Sequence, residues 1–236
     1  MITNDFRSDL KFFERKLKNK EPFSLTRFGD GERDIMNNKH LFLSRSKKEF
    51  DFHGEEHLRK DLIASFTLIK KNYFVGIPCP CCQPQDVCNK MKKDSGQPKE
   101  NLTWANIFVN GNYSYFISKI VPLFNLYKVT IIAPGDFKKL KFKCNQNHTI
   151  GANAWVNNAD IYTKIRSQII KDNSTNELFL FCAGPFANIL CSKLYNEFPS
   201  NTFLDIGSVF NINLGIGSNR GYLQGGNTLK KICIWN

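Results

Sequence analysis

Apolar side chains recur at helical spacing at Phe6, Leu10, Phe13 and Leu17, so the chain opens with an amphipathic helix. The pattern then changes to a period of two. Phe23, Leu25 and Arg27 alternate with Ser24, Thr26 and Phe28, which predicts a strand stopped at Gly29 and Gly31. A second helix is predicted from about Glu55 to Lys71, with Leu58, Leu62, Phe66 and Ile69 facing inward. It leads into a short strand, Tyr73 to Ile77, ended by Pro78. Trp104 to Phe108 and Tyr113 to Phe124 read as wholly or partly helical, and Val129 to Ala133 as a buried strand ending at Pro134-Gly135-Asp136. A helix carrying Ile161, Ile165 and Ile169, a strand from Leu178 to Ala183, a helix from Phe186 to Phe198 and a strand from Thr202 to Ile206 then alternate at βαβ spacing. This order predicts an α/β fold: a single Rossmann-like domain with a mainly parallel sheet flanked by helices on both faces.

In open parallel sheets, ligands bind beyond the carboxyl ends of the strands, so a site gathers residues distant in sequence that share that edge. The strand ends here are Gly29 to Glu32, Pro78 to Cys82, Pro134 to Asp136, Ala183 to Pro185 and Asp205 to Gly207. Asp30 and Glu32, separated by one glycine, are the most telling of these. Hard divalent cations prefer oxygen ligands, and two carboxylates on a turn bracketed by Gly29 and Gly31 leave room for the oxygens of a diphosphate. Arg27 would add a forked contact to phosphate. Gly184-Pro185 opens a helix, where unpaired N–H groups and the helix dipole favour an anion. Trp155, between the Val129 strand and the Ile161 helix, is an aromatic suited either to stacking on a nucleobase or to the core.

No Pro- or Ser-rich linker divides the 236 residues, so one domain over 1–236 is expected, with a Cys-rich loop at about 78–101 and a Gly-rich C-terminal segment at about 215–236. No apolar run is long enough to span a bilayer, and the first residues lack the layout of a signal peptide, so a cytoplasmic protein is expected. The formal charge of +12, from 33 Lys and Arg against 21 Asp and Glu, would attract phosphates, nucleic acid or an anionic membrane surface at which the protein could sit peripherally. The lysines lack the aromatic interleaving of a single-strand binding face, which argues against nucleic acid as the partner.

Of the eight cysteines, Cys79, Cys81, Cys82 and Cys88 crowd into one loop. They are candidates for structural Zn²⁺, with Cys144 and His148 or His53 and His57 available to complete a tetrahedral set. Cys182 and Cys191 fall within apolar patterns and are expected in the core. His53-Gly-Glu-Glu-His57 departs from the metalloprotease pattern at Gly54, and no Gly-X-Ser-X-Gly elbow supports a serine hydrolase. Gly215-Ile-Gly-Ser-Asn-Arg-Gly221 misses the dinucleotide fingerprint by one residue and reads as a lid-forming or plain surface loop.

The phrase Ser24-Leu-Thr-Arg-Phe-Gly-Asp-Gly-Glu32 resembles the Asp-X-Glu region of the GT-D type glycosyltransferases, a family first known as a domain of unknown function. Leu178-Phe-Leu-Phe-Cys-Ala-Gly-Pro-Phe-Ala-Asn-Ile-Leu190 is similar to that family's strand, Ala-Gly-Pro turn and helix, and Phe203-Leu-Asp-Ile-Gly207 to its next strand and Asp-X-Gly end. The resemblance implies a metal-dependent transfer of a sugar from a nucleoside diphosphate donor, UDP being the expected nucleotide, to a hydroxyl on a glycan, glycoprotein or glycolipid. Asp30 and Glu32 would hold Mn²⁺ or Mg²⁺, with Arg27, Gly29, Gly31, Gly184, Pro185 and Trp155 around the donor. Asp205 or Asp136 would accept the acceptor's proton if the reaction inverts the anomeric carbon. The alternative is a basic, zinc-stabilised module that binds nucleic acid or another polyanion, its carboxylate pair merely structural.

Overall fold

The computed structural model describes residues 2–39, 41–44, 47–50, 55–217 and 233–234. Helix α1 (Phe6–Lys18) starts at Asp5, whose carboxylate accepts from the Ser8 N–H at 2.8 Å. Its predicted stripe of Phe6, Leu10, Phe13 and Leu17 is buried, and Phe13 stacks on Phe23. After α1 come β1 (Ser24–Arg27), α2 (Asp30–Met36), the strands β2 (Leu41–Ser44) and β3 (Lys47–Phe50), α3 (Glu56–Thr67) and β4 (Tyr73–Ile77). Then follow α4 (Gln85–Ser95), β5 (Leu102–Trp104), α5 (Tyr113–Tyr115), β6 (Val129–Ala133) and β7 (Gln146–Thr149). The chain continues through α6 (Ala154–Asn157), α7 (Asp160–Asp172), β8 (Leu178–Phe181), α8 (Pro185–Glu197) and β9 (Thr202–Asp205).

Seven strands form one sheet in the order β5-β4-β1-β9-β8-β6-β7, and every pairing within it is parallel. β2 and β3 pair antiparallel as a separate ribbon. Strands buried on both faces must be apolar throughout, and Tyr73 to Ile77, Val129 to Ala133 and Leu178 to Phe181 are buried at every position. All seven carboxyl ends therefore meet at one edge. No helix among the described residues is long and apolar enough to cross a membrane.

Four local expectations change. α3 stops at Thr67 because Leu68 turns extended, which swings Ile69 out of the stripe to 62% exposure. Trp104 to Phe108 are not helical: Trp104 ends a strand, Leu102 to Trp104, beside Val75 to Ile77, and Ala105 to Phe108 follow as turns. The Cys-rich loop contains α4, which ends at Gly96 in the left-handed region. β7 is the other edge strand, and its polar sequence Gln-Asn-His-Thr carries no hydrophobic alternation by which to read it. Residues 218–232, most of the Gly-rich segment and the greater part of its proposed lid, lie outside the described residues, as does His53.

Candidate active site

β1 and β9 come from opposite ends of the sequence yet are neighbours, with Ser24 beside Phe203 and Leu25 beside Leu204. This adjacency brings the Asp30-Gly-Glu32 segment to Asp205. Phe28 and Gly29 follow β1, and Asp30, Gly31 and Glu32 form the first turn of α2 rather than a free turn. Asp30 is exposed. Glu32 folds back so that its Oε2 accepts from the Gly29 N–H at 2.8 Å, the reciprocal half of a capping box. Its side chain is half-buried overall, with the carboxylate end enclosed. That enclosure, and secondarily the negative charge of Asp205, push the Glu32 carboxyl up to about 7.

Arg27 lies inward. Its Nε donates to the Asp205 carbonyl at 2.8 Å, Nη2 reaches Asp205 Oδ1 at 3.3 Å, and Nη1 donates to the Ala105 carbonyl at 3.2 Å. The guanidinium also lies over the Phe108 ring. Its side chain is 12% exposed, so the fork expected to meet a phosphate is engaged by Asp205 and Ala105, where it ties β1 to β9 and to the segment after β5. Asp205 is itself buried, and Oδ1 also accepts from the Gly207 N–H at 3.0 Å. Burial raises its pKa despite the opposing influence of Arg27. Gly207 has φ +51°, and a Cβ there would stand 2.0 Å from Arg27 Nη2, so the guanidinium occupies space that only glycine leaves.

The Gly184-Pro185 turn closes the other side. Gly184 has φ +55° and Pro185 begins α8 at its first position. Asn188, one turn into α8, accepts from the Arg27 N–H at 2.9 Å and donates to the Arg27 carbonyl at 3.3 Å. This fully buried amide holds the end of β1 and was not among the residues expected to matter. Its signal in the sequence is a polar side chain inside the apolar run Phe186-Ala-Asn-Ile-Leu190.

The remaining candidates are dispersed. Asp136 is exposed, and its carboxylate caps the turn at Phe137–Lys139 by accepting from the Lys138 N–H. It stands at the end of β6, three positions along the sheet from β1, or about 14 Å at ordinary strand spacing. Trp155 is 1% exposed and packs in the core, so its ring offers no open stacking face; this corrects its assignment to the donor site. Cys182 and Cys191 are buried as expected. Cys144 donates to the Gln146 carbonyl, and His148 lies on β7, at the far edge of the sheet from the Cys-rich loop, so neither completes a metal site there. His57 is exposed beside Glu55. A cavity of about 180 Å³ lined by Tyr113, Ile117, Phe210 and Asn213, and a larger one of about 510 Å³ lined by Lys16, Asn72 and Glu100, both lie away from Glu32.

The arrangement at β1 and β9 is thus two carboxylates of raised proton affinity against one committed guanidinium, with a third, exposed carboxylate at the helix start. Such a set is short of positive charge, and its oxygen donors suit a hard divalent cation.

No protein-family model and no curated protein matches the chain. Its structure is similar to one described as "a new glycosyltransferase (DUF1792) from Streptococcus sanguinis", with a TM-score of 0.61 and 19% identity over 89% of this chain and 85% of that one. It is also similar to a structure described by the statement that "the highly conserved domain of unknown function 1792 has a distinct glycosyltransferase fold", with a TM-score of 0.56 and 17% identity over 88% of this chain and 81% of that one. Seven parallel strands, their helical layers and coverage of most of both chains give this protein the fold of the DUF1792 glycosyltransferase structures.

Proposed function

We propose that this protein is a metal-dependent glycosyltransferase that moves a sugar from a nucleoside diphosphate donor, with UDP as the nucleotide, to a hydroxyl of a glycan or glycoconjugate. The observation that carries the reading is the Glu32, Asp205 and Arg27 cluster at the carboxyl edge of a sheet with the DUF1792 fold.

Asp30 and Glu32 are the residues proposed to hold Mn²⁺ or Mg²⁺, whose chemistry there is to neutralise the charge that gathers on a departing diphosphate. The fit rests on the donor set: carboxylate oxygens, one exposed and one enclosed, in a site whose electrostatics already disfavour a second bare anion. Asp205 acts as the electrostatic partner of Glu32 and the anchor of Arg27. Arg27 in turn fixes where β1 ends and so where α2 presents its first turn. The positive end of the α8 dipole, at Gly184-Pro185, favours the anionic portion of the donor.

The test is a thermal-shift panel of nucleoside diphosphates and UDP-sugars with and without Mn²⁺, followed by measurement of nucleotide release with glycan acceptors. Stabilisation by one nucleotide class that requires Mn²⁺ and disappears in Glu32→Gln, together with turnover lost in Asp30→Asn and Glu32→Gln, is the expected result. Absence of any nucleotide response or turnover, alongside salt-sensitive binding to polyanions, would replace the reading by the binding-module alternative.

A further inference from the structure

Three segments far apart in sequence deliver polar and sulfur groups to one point beside β4. The first is the loop after β4, where the N–H groups of Cys82 and Gln83 both donate to the Cys79 carbonyl, at 2.9 and 3.0 Å, and wind Cys79-Pro-Cys-Cys82 into a tight turn. The second is the C-terminal Cys233-Ile234. It is held in place by a bridge between Asp5 and Ile234 and by the Phe6 N–H donating to the Cys233 carbonyl at 3.1 Å. The third is Asn106, just after β5.

The Sγ atoms of Cys79, Cys81 and Cys233 lie within 4.8 Å of one another, and Cys82 Sγ is 4.0 Å from Cys233 Sγ. Four sulfurs bound to one zinc at its usual bond length stand about 3.8 Å apart, so Cys79, Cys81 and Cys233 need only a small contraction to close around the ion, and Cys82, beside Cys233, reaches the fourth position by a larger side-chain shift. The 4.0 Å separation is also twice a disulfide bond, and all four thiols are free. Asn106 Nδ2 faces the same cluster, at 3.1 Å from Cys233, 3.6 Å from Cys82 and 3.8 Å from Cys79. An N–H donor aimed at several sulfurs is the outer-shell partner that thiolate ligands require.

We propose that Cys79, Cys81, Cys82 and Cys233 form a tetrahedral tetrathiolate site for zinc that clasps the C-terminal segment to the loop after β4. Cys233 takes the place that Cys88 held in the expectation from sequence, because Cys233 lies within the sulfur cluster with Cys79 and Cys81 whereas Cys88 stands outside it. The clasp is structural, since four protein thiolates leave zinc no open position. It also borders the candidate active site: Gln83 accepts from Arg33 Nη1 at 3.3 Å, and Arg33 belongs to the helix that begins with Asp30-Gly-Glu32.

The experiment is elemental analysis of the full chain isolated under reducing conditions, together with Co²⁺ titration of the metal-stripped protein. The expected result is about one zinc per chain and a Co²⁺ spectrum with strong thiolate-to-metal charge transfer and tetrahedral d–d bands. Zinc should be lost from Cys233→Ser and Cys82→Ser and retained in Cys88→Ser. Should either serine variant at the cluster fail to fold, the Co²⁺ spectrum of the unmodified chain decides alone, because its charge-transfer intensity reports the number of thiolate ligands. A chain that carries no zinc and gives no thiolate–Co²⁺ spectrum, a Cys82–Cys233 disulfide mapped in freshly isolated protein, or loss of metal from Cys88→Ser equal to that from Cys233→Ser would each overturn the proposal.

Discussion

Replacing Glu32 by glutamine separates the electrostatic part of the site from its local structure. The amide oxygen of the introduced glutamine can still accept from the Gly29 N–H, so the helix cap survives while the titrating group is removed. In the native protein the Glu32 carboxyl is raised from 4.5 to about 7 by burial and by Asp205. Between those values the folded chain holds a proton that the unfolded chain has released. The contribution to stability is therefore full below 4.5, declines as pH rises and is lost above about 7. The whole shift corresponds to about 3 kcal/mol at 1.36 kcal/mol per pH unit, and solvent reaching a half-buried side chain reduces it to about 1–3 kcal/mol. Glu32→Gln should thus unfold roughly 2–12 °C higher than the native protein at pH 8 and approach it as the pH falls to 5. Thermal melts of both proteins from pH 5 to 8, in buffer without added Mn²⁺ or chelator, measure this. A difference that does not grow with pH, or a variant no more stable at pH 8, would refute the account of Glu32. Mn²⁺ with the cognate nucleotide should reverse the order by stabilising only the native protein.

Other substitutions probe the framework. Gly207→Ala places a methyl against Arg27 Nη2 at a left-handed φ and should cost about 1–3 kcal/mol in denaturant unfolding, and less in an Arg27→Ala background where the clash is gone; equal costs in both would contradict the packing described. Asn188→Ala leaves the buried Arg27 N–H without its acceptor and should cost about 1–3 kcal/mol, with a native-like midpoint counting against its role at the end of β1. Trp155→Ala should lose about 3–5 kcal/mol as a core cavity, while Trp155→Phe should leave nucleotide affinity unaltered in a titration; weakened nucleotide binding by the phenylalanine variant would restore Trp155 to the donor site.

Much of this architecture is legible along the chain because local physics decides it. The stripe of α1, the largely apolar runs of β4, β6 and β8, and the Gly-Pro start of α8 each satisfy one period or one backbone constraint, and these elements occur where the pattern places them. The pattern is silent where tertiary contact overrides or replaces it. β7 is polar because it is an edge strand, β5 is too short to show alternation, and Ile69 keeps helical spacing after the helix has ended.

The candidate site divides in the same way. Asp30, Glu32, Asp205 and the Gly184-Pro185 turn stand out as chemistry at strand ends, so the sequence alone determined which groups reach the carboxyl edge of a parallel sheet. Only the strand order decided that β1 and β9 are neighbours, and hence that Glu32 and Asp205 share an environment while Asp136 stands apart. Likewise, the crowding of cysteines within one loop is legible along the chain, but Cys233 joins Cys79, Cys81 and Cys82 only through the bridge between Asp5 and Ile234, far apart in sequence. The physical reason is the same in both cases. Backbone propensity and hydrophobic period act over a few residues, whereas the burial that raises a carboxyl's pKa and the convergence that gathers four sulfurs arise only when segments distant in sequence are packed together.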